Sequence, residues 1–206
     1  MSKNMGYILI AIGLVFFIWG LSIVFKSSKP NRERLNNENE PKLERNTAHE
    51  NDTNKLKGDS FEKFVVKHFD KKYFTIQEWR GDKYIDGTYA VSNHFPDLEV
   101  LFKLNSKGIS DKFAIECKWR KNYYQGTIEW AKHYQITNYK KYSQSLNIPV
   151  YIVIGIGGEP ENPNELFIVP LAKIENSTIQ KTELTKYHKS LNDAGFYWDF
   201  EKKELK

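Results

Sequence analysis

Asp97, Glu116 and Lys118 are the residues whose types and spacing could do chemistry. Glu116 and Lys118 flank Cys117 in the run Lys112, Phe113, Ala114, Ile115, Glu116, Cys117, Lys118, Trp119. Phe113, Ile115, Cys117 and Trp119 alternate with the others, the mark of a half-buried strand, and residues two apart on a strand share a face. An acid and an amine therefore stand side by side. Upstream, Leu98, Glu99, Val100, Leu101 and Phe102 read as a second strand, and residues 105–110, with Gly108, as the turn between them. Closing that hairpin brings Asp97 to Glu116. Two carboxylates offer hard oxygen ligands to Mg²⁺ or Mn²⁺, ions that keep several waters and also bind phosphate. Lys118 would hold an attacking water or offset charge gathering on a phosphorus centre. The plainer use of the same residues is a solvated salt-bridge ladder on an exposed sheet face.

The elements that must position these groups can be read on either side. Gly58, Asp59 and Ser60 are capping residues before a helical stripe of Phe61, Phe64, Val65 and Phe69. Glu62 lies off that stripe, as a first-turn acid favoured by the helix dipole. Residues 73–79 form a strand and residues 80–91, with Gly81 and Gly87, a polar loop. In that loop Asp82 and Asp86 are turn residues, and Arg80 or Lys83 could reach a substrate. Glu99 shares Asp97's face in a regular strand, a reserve ligand or, more simply, a salt-bridge partner. Arg120, Lys121, Tyr123 and Tyr124 make a basic, aromatic lip, able to pair with phosphates and stack on unpaired bases. Residues 127–147 hold no Gly or Pro and read as one long helix, with Gln135, Tyr139 and Tyr142 along one side. Residues 149–158 are nearly all apolar, as in a strand covered on both faces. Residues 165–171 are another strand, residues 176–192 are ambiguous, and Phe196, Trp198 and Phe200 alternate like a short closing strand.

A chain of 206 residues allows one ordinary domain with additions, and its 13 Phe, 12 Tyr and 5 Trp argue against disorder through most of it. The net charge of +5 suits a polyanionic partner. Cys117 is the only cysteine, which excludes an internal disulfide, and its strand position makes it a small buried residue. Metal-spaced Cys/His clusters, the P-loop and Gly-x-Ser-x-Gly are all missing from the sequence, which sets aside zinc modules, P-loop nucleotide hydrolases and serine hydrolases. Residues 7–25 are apolar and uncharged, close to the length needed to cross a hydrocarbon core of roughly 30 Å. No small-residue cleavage site follows, so residues 1–26 read as a retained signal anchor. Lys26, Lys29, Arg32 and Arg34 behind it place the carboxyl-terminal side in the cytoplasm. Residues 27–56, polar and carrying Pro30 and Pro41, read as a flexible tether to a domain at 57–206.

Pro96-Asp97 followed by Glu116-Cys117-Lys118 resembles the signature of the PD-(D/E)XK nuclease superfamily. The Gly58-x-x-Phe61-Glu62 run is similar to the first helix of its Mrr-like restriction endonucleases and Holliday junction resolvases. The resemblance covers about residues 58–170. It implies an α/β fold: a restriction endonuclease-like core with a mixed central β-sheet flanked by helices, preceded here by one transmembrane helix. It also implies a Mg²⁺- or Mn²⁺-dependent endonuclease acting on DNA. In that likeness Asp97 and Glu116 hold the metal together with the Cys117 backbone carbonyl, and Lys118 positions or activates the water. Glu62 orders the metal waters, Gln135 faces the site from the following helix, and Arg120, Lys121 and Tyr139 touch substrate. A homodimer is compatible with it. The expectation is a single-pass protein of the cell membrane, held to the bilayer through residues 7–25, with a cytoplasmic nuclease domain. The rival expectation is a non-catalytic module of the same fold that binds nucleic acid or protein at the membrane.

Overall fold

Six strands form the central sheet in chain order: β1 (Phe74–Trp79), β2 (Leu98–Leu104), β3 (Ile109–Arg120), β4 (Val150–Ile156), β5 (Glu165–Pro170) and β6 (His188–Lys189). The computed structural model describes residues 41–80, 84–85, 88–89, 94–193 and 195–206. The proposed anchor at residues 7–25, residues 27–40 of the tether, and Asp82, Lys83 and Asp86 lie outside these. Among the described residues no helix is long and apolar enough to cross a membrane. Residues Glu44–Lys206 make one compact unit, and of the other, Met1–Leu43, only the start of a helix is described.

Neighbouring strands are antiparallel except β3 and β4, which run parallel. A parallel pair needs a crossover connection, and here it carries helix α2 (His133–Leu146). The α/β class with a mixed sheet flanked by helices is the one the sequence predicts. Every residue of β4 is buried, as its unbroken apolar run requires. The β2–β3 hairpin turns through Asn105–Lys107 and closes on Gly108, whose φ of 65° suits glycine. Its register pairs Leu98 with Ile115, so Asp97 comes level with Glu116 one step further on.

Helix α1 (Pro41–Lys67) begins earlier than expected. Proline is favoured in a first helical turn and neither Gly nor Pro interrupts residues 42–57, so that stretch extends the helix rather than ending a tether at residue 56. The polarity that reads as disorder is only the lack of a core-facing stripe. Further on, Phe61 and Val65 are fully buried against the sheet. The Phe61 ring rests on Gly155 of β4, where any Cβ would collide with it. Burying that ring contributes roughly 1.5–3 kcal/mol, and its seat fixes α1 so that Glu62, the next residue, reaches the sheet's edge.

Helix α2 is shorter than expected. Thr127–Glu129 instead pairs with Thr178–Gln180 in a separate two-stranded sheet, in keeping with the strand preference of Thr127 and Ile128. Buried Trp130 and Ala131 separate this strand from the start of α2. The expected closing strand is also displaced: Trp198–Asp199 pairs with Glu204–Leu205, apart from the main sheet. Trp198 stacks on Phe113 with ring centroids 4.6 Å apart, closing the core on the α1 side.

Candidate active site

A cleft of about 620 Å³ opens where α1, β2, β3 and α2 converge. Asp97, Glu116, Lys118, Glu62, Gln135 and Tyr139 all line it, as do Arg120 and Lys121. These eight side chains, distant in sequence, thus meet at one cleft. Asp97 precedes β2 and accepts the Cys117 amide proton on Oδ2 at 2.7 Å. Glu116 is buried, pairs with Lys118 through Oε1, and keeps Oε2 buried without a hydrogen-bond partner. An unpartnered carboxylate oxygen in such a place is costly unless a cation meets it.

Charge crowding at the cleft shows in the titrating groups. Burial, with the neighbouring Glu116 and Glu62 charges, pushes Asp97 well above the usual carboxylate range, against the pull of Lys118 and the Cys117 amide. Burial works against the Lys118 charge, but Glu116 and Asp97 outweigh it and hold the ammonium above its ordinary value. Burial and the Glu116 carboxylate raise the Tyr139 phenol, so Tyr139 stays protonated and keeps an O–H to donate into the cleft. Burial, then Asp97, raises the Cys117 thiol as well. That thiol belongs to the α1-side core, and the residue meets the cleft through its backbone.

Glu62 is held by a residue that sequence reasoning missed. Trp79, at the end of β1, donates its indole N–H to Glu62 Oε2 at 2.7 Å while the residue as a whole remains 45% exposed. The only signal was an aromatic residue at a strand end. Asn54 and Lys57, on the part of α1 read as tether or domain start, also line the cleft. Gln135 accepts the Lys132 amide proton at 2.9 Å, capping α2, and its amide nitrogen lies 3.5 Å from the Tyr139 hydroxyl.

The basic, aromatic lip is divided. Arg120 is bound to three carbonyl oxygens, of Glu129, Trp119 and Trp130, and so braces the loop before α2. Tyr123 donates to Glu165 beneath Lys181. Lys121 and Tyr124 remain exposed. Glu99 is the hub of an ion-pair cluster with Arg80 and Lys112, each at 3.2 Å, and accepts from the Tyr142 hydroxyl at 2.6 Å. Burial, then the Glu99 hydrogen bond, pushes Tyr142 up to about 12.

Fold and cleft define an α/β domain in which two paired inner strands of the sheet bring two carboxylates and a lysine together. No family model and no curated protein matches the chain. Among solved structures it is similar to a Holliday junction resolvase from Archaeoglobus fulgidus, over 66% of this chain and 92% of that one, with a TM-score of 0.43 and 14% identity. So loose a likeness carries no weight for activity.

Proposed function

We propose that the chain is a divalent-metal-dependent nuclease that hydrolyses phosphodiester bonds in DNA. The observation that carries this reading is the buried, unpartnered Oε2 of Glu116 beside an aspartate whose charge burial and its acidic neighbours oppose. Both features are relieved by a cation between Asp97 and Glu116. Among the described residues no group of three or more His, Cys, Asp or Glu could enclose an ion. Two carboxylates with water and phosphate completing the shell is, however, the way Mg²⁺ is commonly held.

Asp97 and Glu116 would hold the ion. The Cys117 carbonyl would join them, because an extended residue turns its N–H and C=O to the same strand edge and the N–H already points at Asp97. Bound there, a divalent cation would acidify a water and offset charge on a phosphoryl oxygen. Lys118, kept protonated by its carboxylate neighbours, stabilises negative charge building on the phosphate. Glu62, steadied by Trp79, accepts hydrogen bonds from water entering the cleft. Tyr139 donates from the opposite wall, and Lys121 supplies an exposed cation for the DNA backbone. Residues 7–25 would tether this domain to the cell membrane on its cytoplasmic side, and membrane fractionation of the full chain against one lacking residues 1–26 tests that.

The direct test of the activity is nicking of supercoiled plasmid by the full chain in Mg²⁺. Cleavage that chelation stops and that Asp97→Ala and Lys118→Ala abolish is the expected result. Equal cleavage by wild type and both variants would remove the assignment.

A further inference from the structure

A second hollow, of about 290 Å³, adjoins the cleft beside the start of α2, and Lys118, Arg120 and Gln135 wall both. Its lining includes the buried, apolar Ile128 and Ala131. Tyr124 stands at its rim, 75% exposed. The backbone beneath that ring is rigid. Tyr124 and Thr127 exchange amide hydrogen bonds of 2.8 and 2.9 Å, and the Thr127 hydroxyl adds a third to the Tyr124 carbonyl. Gln125 and Gly126 between them have φ values of 48° and 74°, the signature of a tight two-residue hairpin turn. Tyr123, one residue back, is tied to Glu165; Tyr124 has its ring free on a fixed stem.

The hollow therefore has a flat aromatic rim, an apolar patch among polar walls, and a lysine shared with the site where a phosphate would be cut. Glu129, paired with Lys132 at its edge, offers a carboxylate to an exocyclic amine. Such a space takes a flat heteroaromatic ring. A base in continuous duplex is stacked and paired, so it cannot enter without being unstacked at a cost. We propose that this hollow is a subsite for an unpaired nucleobase next to the scissile phosphate, stacked on Tyr124. The preferred substrate is then DNA with unpaired nucleotides at the cut, rather than continuous duplex. This inference rests on the nuclease reading above and deepens it.

The test is equilibrium binding of the full chain, in Ca²⁺, to a duplex with one unpaired fluorescent adenine analogue and to its fully paired counterpart. Wild type should prefer the unpaired form about tenfold, the scale of one base stacked on one aromatic ring, and should quench the analogue. Tyr124→Ala should bring the preference close to one and restore the fluorescence, while Tyr124→Phe keeps both. Because Tyr124 is exposed, the alanine variant should melt like wild type, and a matching circular dichroism melt verifies this. Equal wild-type affinity for the two duplexes, no binding, or a preference that survives Tyr124→Ala would overturn the subsite. Binding with the Tyr124-dependent preference but without cleavage in Mg²⁺ would support the subsite and defeat the nuclease reading instead.

Discussion

Glu99 and Glu116 are both buried acids on paired strands of one sheet, yet their surroundings differ sharply. Burial alone would raise Glu99, but hydrogen bonds from Tyr142, Lys112 and Arg80 outweigh it and hold its carboxyl below the usual value. Both of its oxygens are engaged. Glu116 has one oxygen on Lys118 and the other on nothing, and it faces Asp97, whose proton it helps to retain. The first arrangement is finished by the chain itself and reads as scaffold. The second leaves carboxylates in excess of cations, and the proposed cation would offset that excess.

The largest expected effect breaks the second arrangement. Asp97→Ala or Glu116→Gln should lower Mg²⁺-dependent cleavage by about 10³-fold, the worth of several kcal/mol of metal-borne charge stabilisation, read in single-turnover assays. The first arrangement should respond in stability instead. Glu99→Ala leaves Arg80, Lys112 and the Tyr142 hydroxyl without their shared acceptor, and should cost about 2–3 kcal/mol in denaturant unfolding. Cleavage per folded molecule should change far less than for Asp97→Ala.

A pH series sharpens the contrast. Between the ordinary aspartate value and the raised one of Asp97, the folded chain keeps a proton that the unfolded chain has released. Metal-free stability should therefore fall as pH rises through that interval and stay reduced above it. Asp97→Asn should flatten that slope and raise the neutral-pH melting temperature of the metal-free protein. Melts with and without Mn²⁺ check this, since the cation should also restore stability at neutral pH. Glu99 contributes with the opposite sign: its lowered value adds stability at neutral pH that is lost as pH falls through it.

Two smaller effects probe the periphery. Trp79→Phe removes one hydrogen bond to a charged carboxylate and should slow cleavage about tenfold. Lys121→Ala should weaken DNA binding a few-fold on all sequences and reduce the salt slope by about 1.

Much of this was legible in the chain because strand alternation is a strict code. The register that brings Asp97 level with Glu116 follows from two apolar runs and the Gly108 turn between them. The buried strand β4 was legible for the same reason. The second half of helix α1 was legible from its stripe at Phe61, Phe64 and Val65; the first half was not, because polarity alone does not tell a polar helix from a tether. Nor was the break before α2, since Thr127–Glu129 owes its strand to Thr178–Gln180, some fifty residues away in sequence. Trp79 and the bracing role of Arg120 depend on contacts between distant segments. No local pattern announces such contacts.

The most direct test of the metal clasp is titration of the full chain with Mn²⁺, followed by electron paramagnetic resonance of the free hydrated ion. Wild type should remove Mn²⁺ from solution at one site per chain, competed by Mg²⁺, and Asp97→Asn and Glu116→Gln should each abolish this. A wild-type chain that leaves the free-ion signal untouched, or variants that bind as well as wild type, would contradict the clasp.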